Sequence, residues 1–184
     1  MHSKGPKGIS PKKWGRVTWV MLHGLAHLAI ARPSPVRARA ARLVVLCMPQ
    51  LLPCGTCRRN LAKKLASMPA PDAASAARDP RVLAVWVHEL HNLTNVDTDK
   101  PLVAYADGLD GKLAALRVPR LFEVVRLAAR RAKRYIARCL EERKESAWQS
   151  QRAAEEYEAA ESTYRLFRVL LGVVLGARKN GGVA

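Results

Sequence analysis

Aromatic side chains are scarce in this chain of 184 residues, which holds 4 Trp, 4 Tyr and only 2 Phe. Ala, Leu, Val and Arg dominate instead, and the prolines fall mostly between apolar blocks. That composition argues against strands and for helices joined by short breaks, an all-α class. Acidic residues are sparse as well: the first fifty positions contain none, and 15 acids face 32 lysines and arginines for a net charge of +17. A field of that sign draws nucleic acid, anionic membrane or acidic protein without naming a function. Cysteines are limited to Cys47, Cys54, Cys57 and Cys139. They are too few and too unevenly spaced for a secreted disulfide framework, and a close pair with two singles suits redox or metal chemistry better. Long apolar runs are missing too. Leu166 to Ala177 is too short for a membrane span. The apolar stretch Val17 to Ile30 is interrupted by His23 and His27 and ends at Arg32 without a small-residue cleavage site, so it reads as a buried helix rather than a secretion signal.

What is present centres on Leu51-Leu52-Pro53-Cys54-Gly55-Thr56-Cys57-Arg58-Arg59-Asn60. Two residues between cysteines let the sulfurs meet once the first helical turn forms. The free N–H groups of that turn, with Arg58 and Arg59, favour a thiolate. The motif by itself suits a redox dithiol, a zinc half-site, a thioredoxin-like pair or a structural disulfide.

Around it the pattern predicts a basic tail over residues 1–10, disordered by composition, and a first helix from Ser10-Pro11 to about Arg32. One face of that helix is apolar (Val17, Val20, Met21, Gly24, Leu28). Trp19, His23 and His27 form a second stripe that wants a partner other than hydrocarbon. Pro33-Ser34-Pro35 breaks the chain, and a second helix leads through Cys47 and bends or ends near Pro49. A third helix spans about Gly55 to Ser67, a loop Met68 to Pro80, and a fourth helix starts at Asp79-Pro80 and runs towards Lys100-Pro101-Leu102. In the fourth, Leu83, Val87 and Leu90 face the core. His88, His91, Asn92 and Asn95 form a polar stripe that must find side chains or a ligand. Asp110-Gly111 reads as a turn before two long helices, roughly Pro119 to Lys144 and Ala147 to Ala177, with Leu121, Val125, Ala128, Ala132, Tyr135 and Cys139 along one seam. Residues 178–184 read as a frayed tail.

Taken in order, Trp-Gly-Arg-x-x-Trp-x-x-x-His, Pro-Cys-x-x-Cys-Arg, Trp-x-x-x-x-His-Asn-x-x-Asn and Lys-Pro-Leu resemble the Erv/ALR family of flavin-linked sulfhydryl oxidases over about Lys12 to Tyr105. The resemblance implies a four-helix bundle with a short fifth helix, spanning residues 11–108 and holding FAD, usually as a homodimer, followed by a helical extension over residues 109–184. By position it implies cofactor contacts from Gly15, Trp19, His23, His91, Asn92, Asn95 and Lys100, with Arg16 and Lys12 as candidates for the phosphates; His88 is not required by the motif but, one helical turn before His91, is expected to face the same pocket. It carries His27 only loosely, since an aromatic residue often stands there. The implied reaction oxidises protein dithiols. Substrate thiolate attacks Cys54, expected to be the more exposed sulfur, Cys57 is released against the flavin, and electrons pass through FAD to dioxygen, giving hydrogen peroxide.

The chain departs from the family in lacking a shuttle cysteine pair and a structural disulfide at the last helix. Cys47 reads as an apolar filler, and Cys139 as a filler, a lone shuttle or an intersubunit bridge. Minimal members with an unrelated extension look viral, so the expected location is cytoplasmic or virion-associated. Two rivals stand beside this reading. One is a zinc site of Cys54, Cys57, His88 and His91, although His-x-x-His is tighter than the usual finger spacing and the main reading expects no metal. The other is non-specific nucleic-acid contact through the Arg-rich helix near Arg126 to Arg138. A thioredoxin-like reading needs strands that the flanking pattern does not offer.

Overall fold

A computed structural model describes residues 11–176, with side chains from residue 14 onward. The expected tails at 1–10 and 178–184, and the side chain of Lys12, lie outside the described residues. Among the described residues all regular structure is helical: α1 (Pro11–Ala31), α2 (Pro35–Leu51), α3 (Gly55–Ser67), α4 (Ala73–Arg78), α5 (Arg81–Val96), α6 (Leu109–Ala114), α7 (Val118–Ala147) and α8 (Gln151–Leu175). α1, α2, α3 and α5 are the four helices expected before Lys100, while the two longest, α7 and α8, follow them.

Local chemistry sets most boundaries. Ser34 caps α2 by accepting from the Arg37 N–H at 3.4 Å, with proline in the first turn, where no N–H is needed. Pro49 does not end that helix, which runs two residues further. The expected loop over 68–80 is corrected by α4. There Asp72 accepts from the N–H groups of Ala74 and Ser75, both at 2.9 Å, and starts a short alanine-rich helix, alanine being the best helix former. The fourth expected helix stops at Val96 because Asp99 takes a left-handed backbone (φ 51°) and Lys100 N–H returns to Asn95 O at 2.9 Å. Asp110-Gly111, expected as a turn, lies inside α6. Gly111 is required there, because a Cβ would strike the Ala106 carbonyl of the segment folding back onto the helix.

α1 is the central element. Every residue from Met21 to Ala29 is buried, so the helix is covered on all sides. α7 packs on α1 where Gly24 lets the two come close, Val125 occupying the space a Cβ would need. α8 lies along α2, and Arg37 Nε donates to the Val174 carbonyl at 3.3 Å. Tyr164 donates to Lys133 O at 3.3 Å and joins α8 to α7. Leu121, Val125, Phe167 and Val174 belong to the same apolar core as Met21, Val44 and Leu90. Burying each larger side chain of this kind is worth roughly 1.5–3 kcal/mol. Among the described residues no helix is long and apolar enough to cross a membrane.

Candidate functional site

The second stripe of α1 and the polar stripe of α5 face each other, because both helices bury their remaining faces in hydrocarbon. Trp19 and His91 stack face to face, with centroids 4.1 Å apart and planes 10° apart, and both are half-buried. His23 meets Trp19 edge-on at 5.9 Å, and its Nε2 lies 3.0 Å from His91 Nδ1. Behind them sits Asp110 of α6, wholly buried. His23 Nδ1 and His27 Nε2 each donate to its Oδ1 at 2.9 Å, and His88 Nδ1 donates to Oδ2 at 2.9 Å. A buried carboxylate is tolerated only when hydrogen-bonded, and three imidazoles saturate this one.

The second branch runs through Asn92. Its Nδ2 reaches His88 Nε2 at 3.1 Å and donates to Val103 O at 2.9 Å. Its Oδ1 accepts from Val103 N–H at 3.2 Å and from Asn95 Nδ2 at 3.3 Å. Asn92 thereby clips the segment after α5 back onto the helix and carries it into α6.

The electrostatics follow the geometry. Burial pushes the Asp110 carboxyl up, but the hydrogen bonds from His23, His27 and His88 outweigh it and hold the group well below the usual carboxylate range. His91 is lowered to about 4, first by burial, with the nearby Lys100 charge adding to it, so it is neutral at physiological pH. Tyr105, tilted over His88 with centroids 5.2 Å apart, is pushed up to about 12 by burial and by Asp110.

Cys54 and Cys57 form a disulfide at the start of α3, their Cα atoms 5.1 Å apart. Cys54 is the N-cap residue, its sulfur accepting from Cys57 N–H at 3.3 Å. Arg58 holds the preceding turn by donating to Leu52 O at 3.1 Å. α3 is tied to α5 by the Lys64–Asp97 ion pair, and Trp86 Nε1 donates to Met68 O at 3.2 Å just beyond its end. The expectation that Cys54 is the more exposed sulfur is corrected: Cys54 is buried and Cys57 half-buried. The cause is α7, whose Cys139 donates to Pro53 O at 3.7 Å and whose Arg143 donates to Gln50 O at 3.1 Å. Cys47 and Cys139 are buried and their thiols raised by burial, which makes them poor nucleophiles.

Of the residues singled out from sequence, Trp19, His23, His88, His91, Asn92 and Asn95 come together in one connected cluster. Arg16 and Lys100 are exposed, Lys100 near enough to act on His91, and a Cβ on Gly15 would meet open space. His27 belongs to the cluster more firmly than its sequence position suggests. The zinc alternative finds its residues otherwise engaged, Cys54 with Cys57, His88 with Asp110 and His91 with His23. Asp110 is the member sequence reading missed. The available signal was an imbalance: four imidazoles on otherwise apolar helices need an acceptor, in a chain with 15 acids.

A family model described as Erv1 / Alr family matches residues 16–111. With a protein of Acanthamoeba polyphaga mimivirus named as a probable FAD-linked sulfhydryl oxidase, the chain is 28% identical over 102 residues, 55% of this chain and 70% of that one. With the FAD-linked sulfhydryl oxidase ERV1 of Oryza sativa subsp. japonica it is 26% identical over 94 residues, 51% of this chain and 46% of the rice protein. No solved structure matches. The matched span runs from the residue beside Gly15 to the residue after Asp110 and so encloses both stripes and the disulfide, and the chain belongs to the Erv1 / Alr family.

Proposed function

We propose that this chain is a FAD-linked sulfhydryl oxidase that forms disulfides in protein dithiols at Cys54–Cys57, with dioxygen as final acceptor and hydrogen peroxide as product. The observation that carries the reading is the combination, in one helical bundle, of a disulfide at a helix N-terminus with the Trp19–His91 stack and its buried polar backing. The family membership and the names of the viral and plant relatives support it.

The residues present fit a flavin. An isoalloxazine ring needs a flat aromatic surface with fixed polar groups beside it, and a pyrophosphate needs cations. Trp19 and His91, stacked with centroids 4.1 Å apart, would supply the surface. His23, His88, Asn92 and Asn95 supply polar groups, and Gly15 leaves backbone approachable. Arg16 is exposed and suits the phosphates, a role expected of Lys12 as well, while Lys100, near His91, suits the flavin itself. Bound FAD would supply two-electron acceptance from a dithiol and its return to dioxygen.

The protein's own part is thiol exchange. A substrate thiolate attacks one sulfur of the Cys54–Cys57 bond, which breaks as a mixed disulfide forms. The second substrate thiolate then displaces the enzyme sulfur, leaving the substrate oxidised and the pair reduced by two electrons. Once the pair is reduced, the sulfur of Cys54, N-cap of α3, stands at the positive end of the helix, where first-turn N–H groups favour a thiolate. The test is oxygen uptake and peroxide formation with a small dithiol and with a reduced unfolded protein. Turnover that disappears in Cys57→Ser supports the reading, and undiminished turnover in that variant contradicts it.

Two further roles expected from sequence have their own support. Leu166, Val169 and Val173 stay exposed along one side of α8 and suit self-association as a homodimer, tested by light scattering of Val169→Glu. Arg126, Arg130 and Arg134 stand exposed one turn apart on α7 and suit phosphate backbones, tested by salt-dependent DNA retention before and after replacing them.

A further inference from the structure

Asp110 anchors two chains of hydrogen bonds, and each passes through groups whose donor and acceptor roles are coupled. A carboxylate only accepts, so every imidazole nitrogen against it bears a proton: Nδ1 of His23, Nε2 of His27 and Nδ1 of His88. A neutral imidazole with a proton on one nitrogen has a lone pair on the other. His23 Nε2 therefore accepts, and its neighbour at 3.0 Å, His91 Nδ1, must donate. His91 is left with a bare Nε2. Along the other branch His88 Nε2 is bare and accepts from Asn92 Nδ2. That orientation of the amide is the one in which Nδ2 also donates to Val103 O while Oδ1 accepts from Val103 N–H and Asn95 Nδ2. With a single proton on each imidazole, one assignment satisfies every contact in the cluster. No residue along either branch can be reversed alone.

From this we infer that Asp110 is a positioning residue: acting through His23 and His88, it fixes His91 with an accepting Nε2 beside Trp19 and fixes the Asn92 amide with its nitrogen towards His88. The inference rests on the proposed function for its purpose, since it gives the cofactor-facing imidazole one polarity. Its content is a property of the protein alone. The route from carboxylate to His91 passes from α6 through α1 to α5, so three helices are held in register by one set of protons. A reversed amide at Asn92 would set two donors against each other at Val103 and release the segment that carries α6.

The experiment is ring-nitrogen NMR of the full chain labelled with 15N-histidine, which is assignable because the sequence has five histidines. At neutral pH the expected spectrum has the proton on Nδ1 of His23, His88 and His91 and on Nε2 of His27. Asp110→Asn keeps the shape but puts an NH₂ where one carboxylate oxygen stood, so either His88 or the His23–His91 pair must switch tautomer. In His23→Leu, His91 loses its acceptor and relaxes towards the Nε2–H form that free imidazole prefers, while His88 is unchanged. A wild-type His91 protonated on Nε2 or on both nitrogens overturns the inference, as does an Asp110→Asn chain with every tautomer in place. If Asp110→Asn does not fold, the wild-type spectrum and His23→Leu decide. A chain without thiol oxidation that still has these tautomers retires the proposed activity and keeps the positioning role. An active chain with other tautomers does the reverse.

Discussion

Asp110 and His23 stand 87 positions apart in sequence and 2.9 Å apart in the fold, the carboxylate wholly buried and the imidazole 1% exposed. Removing the acceptor leaves three imidazole N–H groups without a partner, two buried and one half-buried. Asp110→Leu is expected to lower stability by about 3–5 kcal/mol, since each donor left unpaired away from water costs roughly 1–3 kcal/mol. Urea unfolding followed by circular dichroism measures it, and a loss under about 1 kcal/mol would contradict the network described above.

Acid should weaken the fold in two stages. The pKa of His91 is about 4 when folded, against 6.5 when free, so between those values the unfolded chain binds the proton and the folded one does not. The stability associated with a neutral His91 is full above about pH 6.5 and is lost as pH falls towards 4. Asp110, also depressed, contributes stability above its unfolded value of 3.8 that is lost below it. Urea midpoints should therefore fall from pH 7 to pH 4.5, and His91→Gln should flatten that upper part of the slope. A wild-type midpoint unchanged between those two values would count against a buried neutral His91.

Gly24 marks the closest approach of α1 and α7, with Val125 where a Cβ would stand. Gly24→Ala should cost about 1–3 kcal/mol by overpacking, and Val125→Ala in the same chain should recover part of it. Additive losses in the double variant would mean that the two residues do not share this space.

Cys54→Ser and Cys57→Ser should each abolish thiol oxidation while leaving helicity intact, since α3 retains a hydroxyl at its cap in the first case and an ordinary helical residue in the second. Trp19→Ala should lose at least tenfold in FAD affinity, because half of the aromatic stack goes with it. Unchanged flavin affinity in that variant would remove the stack from the proposed site.

Much of this was legible from the sequence. The α1 and α5 stripes are visible as periodicities of three and four, and their pairing follows from the rule that buried polar groups need partners. The proline breaks and the cap before α2 are local signals. Asp110 was not legible, because an Asp-Gly pair looks the same in a turn as in the first turn of a short helix, and only the fold brings α6 beneath α1. The exposure of the two sulfurs was likewise out of reach, since it depends on α7 packing against Pro53, contributed by a residue 86 positions away. α4 was hidden by its length: six residues give too little periodicity, although Asp72 before an alanine run was a readable cap.

In the proposed function, the Trp19–His91 stack and the Cys54–Cys57 pair serve one bound flavin. The visible absorption spectrum of the full chain, equilibrated with FAD, desalted and then titrated anaerobically with a dithiol, tests it most directly. About one flavin is expected to remain per chain, bleached by dithiol in the wild type and left oxidised when both cysteines are serine. A colourless protein after desalting, or bleaching that does not depend on the two cysteines, would contradict it.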